Sequence, residues 1–206
     1  MVFIVIKIIV GLIAVLTLIG VFVEARAAKK NKSRTFVERP TTWLQSTPGT
    51  INFVFSVLTF IAIADYGNIH VGDPIKSISL AVGLLIFIGG FVIAGAAAKT
   101  MGKMQHSDIV VATDQRVFQQ GPFSLCRHPI YLGIIMMWLG MSLTFVNVPL
   151  LIGTIVVAIV QYQRASAEEL LLRKHFGEEY LKYSQETPKI LPFVNCCFNA
   201  HQHKNN

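Results

Sequence analysis

Five apolar stretches constrain this chain more than any other feature. They run over Val2–Val23, Thr50–Ala64, Ile75–Ala98, Pro129–Phe145 and Pro149–Val160, the last continued by an amphipathic extension. A membrane-spanning helix needs about 20 apolar residues, with about 17 as the lower end. The first and third stretches pass easily. The second is short unless it begins near Thr42, and the fourth and fifth are marginal. Only 14% of residues are charged, against about 25% in ordinary soluble domains. The expected fold is therefore all-α, a polytopic membrane protein with about five transmembrane helices, the second of which is the candidate for a tilted or buried segment. The first stretch is too long for a signal peptide and lacks the basic start and small-residue cleavage site of one.

Charge placement predicts the orientation. Arg26, Lys29, Lys30, Lys32, Arg34 and Arg39 fill the first connection, Lys99, Lys103, Arg116 and Arg127 the third, and six more basic residues follow Val160. The connection Tyr66–Pro74 has none, with Lys76 at its edge. Sixteen of the eighteen Lys and Arg thus fall on one side, which the positive-inside rule makes cytoplasmic. The N-terminus is placed outside and the C-terminus inside. The net charge of +7 is mostly this topology signal. A nucleic-acid partner would need basic residues interleaved with stacking aromatics, and the chain has no such patch.

No repeat or second domain is visible, so residues 1–206 read as a single domain: three N-terminal spans over 1–98, then a loop, a helical hairpin and a cytosolic helix over 99–195. Asn147-Val148-Pro149 is a tight reversal, with Pro149 suited to the first position of a helix. Residues 99–127 are too polar to span and long for an ordinary loop, as functional loops often are. They are expected to fold over the cytoplasmic helix ends. Cys126 sits in a polar cluster, and Cys196-Cys197 lie on a cytoplasmic tail where disulfides are rare. His201 and His203 lack the spacing and companions of a metal site, and no metal is expected.

Two polar clusters bracket the hairpin. Before the fourth stretch stands Gly121-Pro-Phe-Ser-Leu-Cys-Arg127-His128-Pro129-Ile130-Tyr131. Charged and imidazole groups are costly at a membrane helix mouth, so they usually serve a ligand, an ion or an interface. Pro129 favours the first helical position, leaving the N–H groups of Ile130, Tyr131 and Leu132 as an anion site. After the fifth stretch, Arg164 and Glu168 are four apart on one helix face, able to hold a zwitterion or two opposite charges. A structural ion pair, with Arg127 reaching out to the interface, is the simpler alternative.

This C-terminal pattern resembles the isoprenylcysteine carboxyl methyltransferase and phospholipid methyltransferase superfamily. The matching residues are Gly121-Pro-Phe, Arg127-His-Pro-Ile-Tyr131 with Gly133, Arg164 with Glu168-Glu169, Phe176-Gly-Glu-Glu-Tyr180-Leu-Lys-Tyr183, Thr187-Pro and Leu191-Pro192-Phe. The resemblance implies S-adenosylmethionine bound in a pocket at the cytosolic face and a lipophilic or prenylated acceptor drawn from the bilayer. It assigns Gln115, Arg116, Val117, Phe118, Gly121 and Phe123 to the cofactor loop, where a usual histidine has become Gln115 and a usual tyrosine Phe123. It assigns Arg127, His128, Pro129, Ile130, Tyr131, Glu168 and Glu169 to the cofactor as well, and Arg164 to the substrate. Tyr180 and Tyr183 read as structural, on an amphipathic helix at the cytosolic face.

A carboxylate acceptor suits Arg164 better than an amine, as in phosphatidylethanolamine, does. Two other classes remain: a reductive sterol enzyme using a nicotinamide, which generally has more spans, and a catalytically silent membrane protein, favoured by Gln115 and Phe123.

Overall fold

The computed structural model describes residues 2–30, 36–38, 42–102, 109, 111–112 and 116–192. Among them are the helices α1 (Val2–Lys30), α2 (Thr47–Ile63), α3 (Ile75–Met101), α4 (Pro129–Phe145), α5 (Val148–Phe176) and α6 (Glu178–Glu186). Short 3-10 turns precede α2 at Trp43–Ser46 and α4 after Gly121–Ser124, and β1 (Phe36–Glu38) pairs antiparallel with β2 (Val111–Ala112).

Every apolar stretch is helical, but the helices outrun the hydropathy. The Ala-rich run before Lys99 keeps α3 helical to Met101, because alanine is the strongest helix former; Gly102, at φ +54°, ends it. The fifth stretch and its extension are one helix, closed by Gly177 at φ +53°. Pro149 holds the second helical position rather than the first: Val148 opens α5, and the Asn147 side chain caps it by accepting from Leu150 N at 2.8 Å. By length and composition, α3 and α5 are long and apolar enough to cross a membrane, while α2, α4 and the Ile4–Ile19 part of α1 are shorter apolar helices.

Connections meet at opposite ends of the bundle. The β1–β2 pair joins the first connection to the third. At the other end, Ile69 N donates to Val146 O at 2.9 Å and Val148 N to Gly67 O at 3.0 Å. Asn147 Nδ2 there donates to Tyr66 O and Asn68 Oδ1, and Lys7 pairs with Asp65 at 2.7 Å. The basic first and third connections thus share one end.

Glycines set the closest helix contact. Gly83 and Gly90 on α3 face Gly133 and Gly140 on α4; within each pair the spacing is seven residues, two turns, so both fall on one face. A Cβ on Gly133 would lie 2.5 Å from Gly90 O, and one on Gly140 2.5 Å from Phe87 N. Small residues that let backbones touch are the usual packing device between membrane helices. We expect Gly133→Leu to lower stability by at least about 3 kcal/mol, beyond ordinary overpacking because backbone rather than side chain blocks the new atoms. Gly95→Ala, with nothing within 4 Å of the new Cβ, is the control. Melting in detergent reads both, and an unchanged Gly133→Leu midpoint would refute the contact.

The central core joins Val10 of α1, Ile51 and Phe55 of α2, Trp138 and Met141 of α4, and Leu150 and Val157 of α5, with the Phe55 and Trp138 rings 5.1 Å apart. Leu16, Leu85, Phe91 and Ile155 are exposed, Leu85 by 70%. Outward-facing apolar helix surfaces of this extent invert the pattern of a water-soluble bundle.

Candidate active site

The start of α4 is held by the chain that follows α6. Arg127 N donates to Pro188 O at 2.8 Å and His128 N to Lys189 O at 3.0 Å, so Thr187–Ile190 straps the Arg-His-Pro run in place. The Arg127 side chain is buried rather than reaching for an interface. Its Nε and Nη2 meet Glu169 Oε1 at 2.8 and 2.7 Å, and its Nη1 donates to Ser184 O and Thr187 O. One guanidinium thereby ties α5 to the end of α6 and to the strap. Tyr183 Oη adds a bond to Phe123 O at 2.6 Å.

His128 occupies the N-cap position of α4 but makes no side-chain cap. Its ring stacks on Tyr131, centroids 5.5 Å apart and planes 3° from parallel. Nδ1 lies 3.4 Å from Glu168 Oε2 and Nε2 3.4 Å from Glu169 Oε1. Burial alone would lower the imidazole pKa, but hydrogen bonding and charge from Glu168 and Glu169 outweigh it and leave the pKa raised. The expected row of vacant N–H groups is shorter than predicted. Leu132 N donates to His128 O at 3.1 Å, because the turn of α4 closes one residue earlier, so Leu132 is not part of an anion site.

On α5, Gln161, Arg164, Glu168 and Leu172 line a cavity of about 240 Å³. Arg164 is 2% exposed. Its Nη1 donates to Leu44 O and to Thr47 Oγ1, which Thr42 and the 3-10 turn place at the start of α2. Its guanidinium carbon stands 5.6 Å from the Tyr131 ring centre. Glu168 takes a hydrogen bond from Tyr131 Oη. Arg164 and Glu168 therefore face one space, as their spacing predicts, but each is anchored to a different neighbour.

Of the residues assigned to the site by sequence, Arg116, Val117, Phe118, Phe123, Arg127, His128, Pro129, Ile130, Tyr131, Arg164 and Glu168 line this cavity. Phe118 and Phe123 pack with ring centres 5.6 Å apart, and Arg116 lies over Phe118. Gly121 and Glu169 are not on its lining. Gly121 makes the turn at φ +61°. The Glu169 carboxylate is held by Arg127, with Lys189 at 3.4 Å and Arg173 at 3.7 Å. Gln115, Met104, His106, Cys196, Cys197, His201 and His203 lie outside the described residues.

Sequence reasoning missed several lining residues. Tyr180 and Tyr183, read as more structural than chemical, line the cavity, as do Met101, Asn52 and Gln161. Burial raises both phenol pKa values well above the usual range, so both hydroxyls stay protonated. Gln161 carried a usable signal: a polar residue in an apolar helix, on the face of Arg164 and Glu168. His128 Nε2, Gln161 Oε1 and Tyr180 Oη are buried without a hydrogen-bond partner. Among the described residues no three His, Cys, Asp or Glu are grouped to hold a metal. Burial pushes the Cys126 thiol up to about 11, which makes it a poor nucleophile.

Residues 78–179 match the family described as phospholipid methyltransferase. Over that segment the chain is similar to phospholipid methyltransferases and to isoprenylcysteine methyltransferases. A probable protein-S-isoprenylcysteine O-methyltransferase of Oryza sativa subsp. indica is 34% identical over 119 residues, covering 55% of this chain and 61% of that protein. Protein-S-isoprenylcysteine O-methyltransferase B of Arabidopsis thaliana is 29% identical over 119 residues, 55% of this chain and 59% of that protein. The Mus musculus protein-S-isoprenylcysteine O-methyltransferase is 31% identical over 122 residues, 55% of this chain and 41% of that protein. The chain thus spans about three fifths of the plant relatives it matches, and less of the mouse one. The matched segment contains most of α3, the hairpin of α4 and α5, and the first residues of α6. The wall formed by α2 lies outside it.

Proposed function

We propose that this chain is an integral membrane methyltransferase that uses S-adenosylmethionine to O-methylate a carboxylate on a lipid-linked acceptor, such as an isoprenylcysteine. One observation carries the proposal: a guanidinium, a carboxylate and two residues with unpartnered buried polar atoms, Gln161 and Tyr180, line a single cavity, mostly within the segment shared with methyltransferases. Buried polar atoms without partners are rare in native proteins, and here they suit a polar ligand. His128, Tyr131, Glu168 and Tyr180, with the Arg116–Phe123 segment, would hold S-adenosylmethionine, which when bound supplies a methyl group on a sulfonium.

In-line methyl displacement asks the protein for proximity, alignment and exclusion of water. Glu168 is oriented by Tyr131 and His128. Arg164 is oriented by Leu44 and Thr47, which favours a planar two-point grip on a carboxylate. Phe118, Phe123, Ile130 and Ile134 keep the lining largely apolar. The apolar outer faces of α2 and α5 support entry of the acceptor from lipid. The five apolar helices are assigned as spans, with the N-terminus outside and the cavity, at the basic end, cytoplasmic.

A second reading, N-methylation of a phospholipid amine, draws on the family match at residues 78–179; the positive charge of Arg164 counts against it. Purified protein, methyl-labelled S-adenosylmethionine, a total lipid extract and a panel of prenylcysteines test both. We expect base-labile label, a methyl ester, on a prenylcysteine. Base-stable label in phospholipid would replace the carboxylate reading with the amine one. Failure to bind S-adenosylmethionine would favour a catalytically silent protein.

A further inference from the structure

The two residues of the cavity lining with unpartnered polar atoms and no carboxylate beside them divide between its ends. Tyr180 Oη belongs to the end built by the start of α4 and by α6. Gln161 Oε1 belongs to the other end. Gln161 lies seven residues from Glu168, roughly 10 Å along α5, with Arg164 between them. It is 2% exposed, and one turn further in, Val157 already belongs to the apolar core. Ile51 and Asn52 of α2 and Ile134 of α4 complete this floor. A bare carbonyl oxygen in such a setting is unfavourable unless a donor arrives with a ligand.

Resting on the acceptor reading above, we propose that Gln161 is a specificity-determining residue whose side-chain carbonyl accepts a hydrogen bond from an amide N–H of the methyl acceptor. Arg164 and Gln161 are three residues apart, separated by about 4.5 Å of helix rise. That spacing suits a carboxylate and an amide N–H joined through one carbon, the arrangement of an N-acylated α-amino acid at a chain's carboxyl end. A fatty carboxylate, or a thioether carboxylate without nitrogen, offers no such donor and leaves the Gln161 carbonyl bare. The floor therefore selects lipidated amino acids from among lipophilic carboxylates.

The test compares two acceptors in the full chain reconstituted in lipid: an N-acyl S-prenyl cysteine and the S-prenyl 3-thiopropionate, which keeps the thioether and carboxylate but has no N–H. Both are measured with wild type, Gln161→Leu and the unbranched Gln161→Met, which guards against poor folding of the first variant. Wild type is expected to favour the N–H-bearing acceptor in kcat/KM by about tenfold or more, the consequence of one buried acceptor left unpaired by the other compound. Both variants are expected to shrink that ratio to about two-fold, through KM for the N–H-bearing acceptor, with affinity for S-adenosylmethionine unchanged within about two-fold. A ratio unaltered by either variant, or absent in wild type, overturns the role of Gln161. The acceptor reading itself is judged separately, by whether wild type methylates either compound. If it methylates neither, that reading fails, and the ratio in competition binding of the two compounds still decides for or against Gln161.

Discussion

Arg127→Ala is expected to lower stability by about 3–5 kcal/mol, the usual loss when one partner of a buried ion pair is removed. Arg127 is 8% exposed and Glu169 4%, so the deletion leaves a buried carboxylate with His128, Lys189 and Arg173 nearby, all beyond 3 Å. It also takes the Nη1 donor away from Ser184 O and Thr187 O. In a chain of this size, such a loss corresponds to a melting shift of roughly 6–20 °C. Local consequences go further. Without the guanidinium, α6 loses this side-chain tie to α5 and the strap keeps the Lys189 contacts with Ser166 and Glu169, so Tyr180 and Tyr183 are expected to loosen from the cavity wall. Arg127→Lys restores charge but not the fork that reaches two acceptor directions at once, so it recovers only part. Melting in detergent, with limited proteolysis near residues 184–190, measures both effects. A midpoint within about one degree of wild type, less than 0.5 kcal/mol, would mean the guanidinium is not the clamp described here.

The second large effect is on turnover. Arg164→Ala is expected to cut kcat/KM for a carboxylate acceptor by roughly 10- to 150-fold, the equivalent of about 1.5–3 kcal/mol for a hydrogen bond to a charged group. Affinity for S-adenosylmethionine is expected to stay within a few-fold, because Tyr131, which is assigned to it and lies beside the Arg164 guanidinium, still donates from Oη to Glu168. Since Nη1 is anchored to Leu44 O and Thr47 Oγ1, the alanine variant also releases the start of α2. Thr47→Val separates these contributions: it removes one anchor and leaves the guanidinium, so a few-fold loss there isolates the positioning part. Arg164→Lys keeps a charge without a planar grip and should rescue partly. An amine acceptor predicts the opposite sign, turnover intact or raised on loss of the positive charge. Wild-type rates for Arg164→Ala on a carboxylate would end the carboxylate assignment.

Much of this arrangement is legible in the chain. The apolar stretches become helical parts of α1 to α5 because runs of 12 to 24 mostly apolar residues leave few alternatives, and the reversal at Asn147–Val148 follows from local capping chemistry. The four-residue spacing of Arg164 and Glu168 puts both on the cavity side of α5 by helical geometry alone. Other features are not local. Gly83, Gly90, Gly133 and Gly140 look like ordinary helix glycines until α3 and α4 are brought together and each removes a clash. Tyr180 reads as one more aromatic on an amphipathic helix, since nothing within α6 says that its hydroxyl ends in a cavity wall. Arg127 and Glu169 share a motif but not a role at the lining; their pairing depends on where α6 and the strap are folded back.

By itself the sequence determined the helical class and the position of the hairpin, and it singled out Arg164 and Glu168 as neighbours on one helix face, because periodicity, capping and hydropathy act within a few residues. Only the tertiary structure decided which groups face the cavity and which are used up in holding it. Those choices depend on partners 37 to 120 residues away, as in Tyr131 with Glu168 and Arg164 with Leu44, and no local rule of propensity or spacing reaches that far.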